Sequence, residues 1–464
     1  MANEEIIVGL DIGTTKIACF VGMRGENGRV KILGFGRTES LGVEHGVVKG
    51  ITQTAESITR AVNEAADQAN VDIDEVWVGI AGQHIKSRPS QGSVMIPSEH
   101  VLIEQEDVDR LIGDQYNTML EPGEEIIHIF PQQYYVDREA LSPEIPPVGV
   151  AGKTLSADFH MVTGNIQNLQ YIKLAVERAG LKIKGVVLEP VASSLAVLDD
   201  SDRDAGVAMV DIGGGTTDIA IFHEGIIRHT SVLPLAGNAI TNDIREGCNI
   251  LRKQAESLKV KFGSCLVQAV SENDVISIPG IRSQAPREIY VKTLAGIINA
   301  RAKMILEQVD YEIKLSGFGK NKKLIAGVVL TGGGAQLKNI KELCELITAT
   351  DTRIGIPNEH LEPDSVNYNE LMHPMYATGI GLVLYGLQQA INQSAQEPLV
   401  KEQSKTNGFD IFADMPDSPA QPVQPAKPDN QPPDKPKEPR TRRNFGDEVS
   451  RWLGKVFNEG IDEE

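Results

Sequence analysis

The stretch VAMVDIGGGTTDIAIF (residues 207–222) decides how the rest of the chain reads. An apolar run ends at Asp211, glycines follow at Gly213, Gly214 and Gly215, and from Asp218 a second alternating run returns with no helical period. That pattern is strand, tight loop, strand. Glycine permits left-handed backbone, so successive N–H groups can converge on an anion, and Thr216 and Thr217 add hydroxyl donors. The loop is suited to phosphate. A Walker-type loop would run straight into a helix and carry Gly-Lys-Ser/Thr, and neither feature follows here.

IIVGLDIGTTKIACFVGM (residues 6–23) repeats the pattern: buried strand, Asp-Ile-Gly turn with hydroxyls, second strand. Asp11 and Asp211 each close an apolar strand and open a Gly/Thr hairpin. Two such hairpins predict two related halves facing each other across a nucleotide cleft. Lys16, just past the first turn, is placed to reach a β- or γ-phosphate as a point charge, or to be an ordinary exposed strand lysine.

The chain has 464 residues, material for roughly two to four domains and a deep cleft between them. A formal net charge of −19 and a pI near 5.0 argue against nucleic acid as the main partner, since phosphate backbones require clustered Lys and Arg. Cys19, Cys248, Cys265 and Cys344 form no CxxC pair, so neither a zinc site nor a disulfide framework is indicated. The N-terminus reads against a signal peptide, and no run of 18 apolar residues occurs.

In chain order the sequence predicts a strand at 30–38, a helix at 51–69 with Ile51, Ala55, Ile58, Val62 and Ala65 on one face, and a strand at 76–81. Residues 83–163 break the rhythm and read as an inserted α+β module. It has turns at PSQG (89–92) and LEPGEE (120–125), an amphipathic segment at 104–120 and strands at 126–136 and 156–162. Residues 144–155 read as a tethering loop, and His128 and His160 as core or edge histidines. A helix at 168–179, a strand at 183–188 and a helix opening EPVASSLAVL follow. Glu189 stands where that strand ends; it can orient a water in a cleft, or simply favour the helix macrodipole.

Beyond the second hairpin come a strand at 226–233 and helices at 239–248 and 251–262. On the latter, Glu256 and Lys259 lie three apart, as a solvated ion pair or as contacts to a base or ribose. A helix is predicted over 286–315. LIAGVVLTGGGAQLKNIKELCE (324–345) reads as strand, three glycines and helix, with the helix N-terminus favouring phosphate. A helix at 376–391, with glycines at 379, 381 and 386 for close packing, closes the folded part.

The two Asp-Ile-Gly hairpins, the LEP strand end and the LTGGG turn resemble the actin, sugar kinase and DnaK-chaperone superfamily of ATP-binding proteins. WVGIAGQHI (77–85), IHIFPQQYYVD (127–137) and PPVGVAGKTLSADFH (146–160) carry the resemblance further, to the FtsA family of actin-like bacterial cell-division proteins. It implies an α/β, actin-like fold of two RNase H-like halves around a nucleotide cleft, with an SHS2-like inserted subdomain. Subdomain 1A would be split over residues 1–82, 164–205 and the closing helix 372–395, with the insertion, 1C, at 83–163. Subdomain 2A would take 206–243 and 324–371, and 2B 244–323.

Carried over by motif, ATP and Mg²⁺ would occupy the cleft, with Asp11 and Asp211 holding the metal through water. Gly13, Thr14, Thr15 and Lys16 with Gly213, Gly214, Gly215, Thr216 and Thr217 would clamp the phosphates. Gly332, Gly333 and Gly334 would pass beneath the nucleoside, with Glu256 and Lys259 as adenosine contacts and Glu189 positioning water. Arg301, in LAGIINARAKMIL, matches the arginine that meets the C-terminal peptide of FtsZ. Subdomain 1C would serve self-association into a homopolymer and later division proteins. Actin's second phosphate loop has an aspartate where Gly214 stands, so hydrolysis is expected to be slow at most. A pilus-assembly relative, or a phosphotransferase of the same superfamily, is the alternative.

The end of the chain changes character. Nine of the 24 prolines fall within residues 416–439, and 396–439 holds too few apolar residues to build a core, so it reads as a disordered tether. Beyond it, residues 440–464 place Phe445, Val449, Trp452, Leu453, Val456 and Phe457 within an arc of roughly 140° at helical spacing, with arginines at the start and flank. This reads as an amphipathic helix lying on a lipid bilayer, at the cytoplasmic face of the inner membrane at the division site on the family resemblance. A terminal helix docked on its own domain is the plainer alternative.

Overall fold

In a computed structural model the two Asp-Ile-Gly stretches form the same hairpin twice. The structure describes residues 5–25, 28–99, 101–279, 285–319 and 323–396; the tether and the amphipathic segment with Phe445, Val449, Trp452, Leu453, Val456 and Phe457 lie outside them. β1 (Ile7–Ile12), β2 (Lys16–Arg24) and β3 (Val30–Glu39) run antiparallel, followed by a short ribbon of β4 (Val43–Glu44) and β5 (Val47–Val48). α1 (Ile51–Ala69) buries the predicted apolar face apart from Ile51, which is half-buried, and β6 (Glu75–Ile80) then adds parallel to β1.

The insertion contributes β7 (Lys86–Met95), α2 (Gln105–Tyr116), β8 (Glu124–Val136), β9 (Glu139–Ala140) and β10 (Thr154–Asn165). Its sheet is ordered β7-β10-β8-β9, with α2 packed on one face. The PSQG segment is not a turn. It lies within β7, an edge strand paired only with β10, where Pro89 can sit because its missing N–H faces no partner strand. Residues 141–153 form the expected loop.

The chain returns through α3 (Ile166–Arg178), β11 (Lys182–Leu188), α4 (Glu189–Val197) and α5 (Asp200–Ala205) to the second hairpin. β12 (Val207–Ile212), β13 (Thr217–His223) and β14 (Ile226–Leu233) are antiparallel. α6 (Gly237–Cys248), α7 (Arg252–Phe262), a ribbon of β15 (Val275–Ile278) and β16 (Arg287–Tyr290), and α8 (Val291–Leu315) make a small helical unit. The helix expected from residue 286 starts later, because Arg287-Glu-Ile-Tyr290 alternates and pairs with β15 instead. β17 (Gly327–Thr331), α9 (Ile340–Thr348), β18 (Thr352–Ile354), α10 (Tyr368–Leu371) and α11 (Ala377–Gln396) complete the described chain.

The two main sheets repeat one topology. β3-β2-β1-β6-β11 forms lobe I and β14-β13-β12-β17-β18 lobe II, each an antiparallel trio extended by two parallel strands. β1 and β12 are buried along their whole length, as central strands covered on both faces must be. Between the sheets lie α11, packed on lobe I, and α4, packed on lobe II, in one core that includes Phe20, Met209, Ala196 and Ile380. The glycines of α11 make this possible. A Cβ at Gly379 would collide with the Phe20 ring, and one at Gly381 with the carbonyl oxygen of Ala192 in α4.

Gly381→Ala should therefore cost about 1–3 kcal/mol, the usual penalty for overpacking where the backbone cannot yield. Gly296 in α8 has open space around it, and Gly296→Ala should gain up to ~1 kcal/mol of helix propensity. Urea unfolding of both variants checks the pair.

Candidate functional site

Each hairpin closes its turn in the same way. Gly13 N–H donates to the Lys16 carbonyl at 3.1 Å, and Gly213 N–H to the Thr216 carbonyl at 2.9 Å. The turns meet face to face: a Cβ at Gly214 would collide with the Thr15 side chain, and one at Gly215 with Thr14 Oγ1. The ribbon between β4 and β5 braces both. Gly46 N–H donates to Thr14 Oγ1 at 3.0 Å, and His45 Nδ1 lies 3.1 Å from the Gly215 oxygen. From the lobe II side, the N–H groups of Gly237 and Asn238 at the start of α6 donate to the carbonyls of Gly213 and Gly214.

Behind the turns, carboxyl groups crowd together. Asp11 pairs with Lys16 at 2.5 Å, and the Lys16 ammonium lies 5.6 Å from the centre of the Tyr376 ring. Asp211 accepts from Ser193 Oγ at 2.7 Å and Thr378 Oγ1 at 3.1 Å. Asp218, directly opposite Asp211 in the hairpin, accepts from Thr216 Oγ1 at 3.0 Å with one oxygen, while the other is buried without a partner. Glu189, the first residue of α4, completes the set.

Burial, and then the neighbouring carboxylates, raise the pKa of three of these groups. Asp211 is raised by burial with Asp11 beside it, against the hydrogen bonds from Ser193 and Thr378. Asp218 is pushed well up by burial and by Asp211. Glu189 is pushed well up by burial and by Asp11, Asp218 and Asp211, with Lys16 opposing. Asp218, Ser193 and Thr378 were not singled out from the sequence. The signal for Asp218 was present: a lone acid inside an apolar alternating strand must be buried, and a buried acid asks for a purpose.

In front of the turns a cavity of about 570 Å³, within the usual range for small-molecule sites, is lined by Thr15, Gly213, Gly214, Glu256, Lys259 and Gly333 among others. Glu256 and Lys259 are paired at 2.8 Å, and Lys259 also donates to Thr241 Oγ1 at 2.9 Å and to the Gly237 carbonyl at 3.1 Å. They are thus an ion pair and cavity wall at once. Gly332, at φ 82°, passes so close to Asp211 that any Cβ would strike its carboxylate, whereas nothing stands within 4 Å of the Cβ position at Gly333. The helix expected directly after these glycines does not start there. A 3₁₀ turn, Gly333–Gln336, intervenes and α9 begins at Ile340, so its N-terminus does not follow the glycines directly. Arg301 is not brought to the cavity; it sits on α8 in a two-pronged pair with Asp243 of α6, at 2.6 and 3.0 Å.

Comparison with known proteins follows the same division. A family model described as cell division protein FtsA matches residues 208–381, and one described as the SHS2 domain inserted in FTSA matches residues 82–163. The Hsp70 protein model matches residues 165–231. Cell division protein FtsA of Pseudomonas aeruginosa is 36% identical over 387 residues, 83% of this chain and 90% of its own length. The Escherichia coli K12 protein of that name is 34% identical over 404 residues, covering 85% and 93%. That of Neisseria meningitidis serogroup B is 37% identical over 381 residues, covering 82% and 90%. Among solved structures, a chain of the PilM-PilN type IV pilus biogenesis complex superposes with a TM-score of 0.59 at 15% identity, over 82% of this chain and 98% of that one, which establishes a shared fold.

The crowded carboxyls predict a pH dependence. Asp218 titrates higher when folded than when unfolded, so the native state binds more protons; the stability this lends is full in acid and lost as pH rises through the folded pKa. Asp218→Asn should therefore raise the urea midpoint of the nucleotide-free protein near pH 8, with the gain shrinking toward pH 4. A gain that is the same at every pH would refute the charge-crowding account.

Proposed function

The chain belongs to the FtsA family of cell division proteins, and from that premise we propose that it is an ATP-binding, actin-like scaffold that polymerises on the inner membrane face and tethers FtsZ filaments there. The observation that carries the reading is the meeting of the two Gly/Thr turns at one end of the 570 Å³ cavity. A phosphate chain entering there finds main-chain N–H groups and threonine hydroxyls from both lobes. It therefore acts as a staple between them.

The residues also fit a cation. Asp218 keeps an unpartnered buried oxygen beside Asp211 and Asp11, so a positive charge arriving with the nucleotide would relieve the repulsion that raises Asp218 and Asp211. Among the described residues no three acidic, His or Cys side chains are grouped as direct metal ligands, and Mg²⁺ would be held by Asp11 and Asp211 through water. When bound, the ion supplies charge neutralisation on the phosphates. Lys16 shares that task from Asp11. Glu256 and Lys259 form the wall against which the adenosine rests, and Gly333, with open space above it, lets the nucleoside approach the backbone.

Turnover is slow. Glu189, whose pKa is raised well above the usual carboxylate range by burial and by Asp11, Asp218 and Asp211, is the group placed to orient a water. The position where actin carries an aspartate has no room for one, because Thr15 of the opposite turn occupies the space beside Gly214. Nucleotide then serves mainly to fix the relation of the lobes.

Arg301 on the 2B unit receives the acidic C-terminal peptide of FtsZ, and the insertion serves self-association and later division proteins. The amphipathic segment at 440–464 lies on the bilayer. One such segment binds weakly; polymerisation gathers many and converts weak contacts into avidity. A pilus-assembly role is disfavoured, since the relatives at 34–37% identity are all division proteins and the pilus protein stands at 15%.

Calorimetric titration with Mg-ATP should show Asp211→Ala binding at least about tenfold more weakly, the effect of removing one charged partner; unchanged affinity would overturn the metal role. Deleting residues 445–464 should abolish co-sedimentation with liposomes and leave ATP binding intact, and retained sedimentation would overturn the anchor.

A further inference from the structure

The insertion touches both lobes, and its two inward-facing histidines each hold one of them. His128 on β8 accepts the Leu188 N–H of lobe I through Nε2 at 3.1 Å. That ring nitrogen must carry a lone pair, so the proton is on Nδ1. Burial pushes the His128 pKa down to about 4, which keeps the acceptor available at neutral pH. Its ring also lies 6.5 Å from Tyr385 of α11, across an edge-on contact. Leu188 is the residue immediately before Glu189.

On the other side, His160 of β10 lies 2.9 Å, Nε2 to Oγ1, from Thr230 of β14 in lobe II. Ser87 Oγ of β7 donates to the Thr230 carbonyl at 2.8 Å. Gln132 Nε2 donates to the Ile227 carbonyl at 2.7 Å, and Arg228 returns a bond to the Gln132 carbonyl at 2.9 Å. Thr230 is opposite Ala220 in β13, and β13 begins at Thr217, the last residue of the second phosphate turn. Each grip is thus one short rigid step from the cleft: Leu188 to Glu189 in lobe I, β14 to β13 in lobe II.

We propose that the insertion is a strap across the two lobes, with His128 as its hold on lobe I and the His160–Thr230–Ser87 cluster as its hold on lobe II. Any change in the angle between the lobes must then either move the insertion or break one of these holds. A surface carried by the insertion, far from the cleft, reports the state of the cleft through packed strands alone. The bonds are directional and few, so the arrangement has discrete states and not a continuum. Transmission from nucleotide rests on the reading of the cleft given above; the strap itself does not.

The test measures the distance between lobes in the full-length chain. All four native cysteines are buried, so spin labels on Glu56→Cys in α1 and Lys253→Cys in α7, both exposed positions, report on the two lobes selectively. Without nucleotide, the unmodified strap should give one narrow distance distribution. Thr230→Val with Ser87→Ala removes two side-chain hydrogen bonds and little volume. The population outside the main distance should rise roughly fivefold for each bond lost, the equilibrium worth of one buried hydrogen bond. Ser87→Ala alone, at a half-buried position, keeps the test available should the pair fail to fold. A distribution indistinguishable from that of the parent would overturn the strap. Because no nucleotide is present in this measurement, a failure of ATP to bind would count against the cleft reading and not against the strap.

Discussion

Several carboxyl groups crowd together behind the paired Gly/Thr turns, where among the described residues Lys16 is the ammonium in contact with them, and most of the molecule is arranged around that imbalance. Asp11 takes Lys16; Asp211 takes two hydroxyls; Asp218 has half a partner; Glu189 faces the rest. Such a group of charges pushes Asp211, Asp218 and Glu189 toward their protonated forms. It therefore favours any ligand that brings positive charge to that spot. The Gly/Thr turns in front provide the opposite preference, main-chain N–H groups suited to anions. A nucleotide with its metal is the ligand class that satisfies both, which is why the proposed function begins here and not at the surface.

The repeated topology explains how two distant segments of chain come to share one site. Each lobe offers the same hairpin at the centre of a sheet of the same topology, and α4 and α11 hold the two sheets so that the hairpins face. Closeness at that layer is set by absent side chains: Gly379 against Phe20 and Gly381 against Ala192. A bulkier residue there would push the helices and sheets of that layer apart. The insertion reaches the same two lobes from outside. Its sheet is joined to them by polar contacts together with Phe130 of β8, which packs against their shared apolar core.

Much of this was legible in the sequence, for identifiable reasons. The hairpins showed because apolar strands interrupted by Asp-Ile-Gly admit few other structures. α1 was placed to the residue because its apolar face keeps a 3.6 period over five turns. Local signals failed where long-range pairing decides. PSQG has turn residues but lies on an edge strand, where proline is tolerated; Arg287–Tyr290 was absorbed into a helix because its partner strand lies across a loop. Three glycines before an amphipathic segment suggested a helix start, but the close pass by Asp211 requires an irregular turn first. His128 and His160 were recognised as core or edge residues from their strand context. Their partners, Leu188 and Thr230, are 60 and 70 residues away, and no local pattern encodes them.

The central claim is that one nucleotide engages both lobes through the paired turns. Backbone hydrogen exchange at residues 13–15 and 213–217, followed with and without Mg-ATP, tests it most directly. The account predicts that both turns slow together on addition of nucleotide, with the same concentration dependence. Protection confined to one turn, or at separate concentrations for the two, would contradict it.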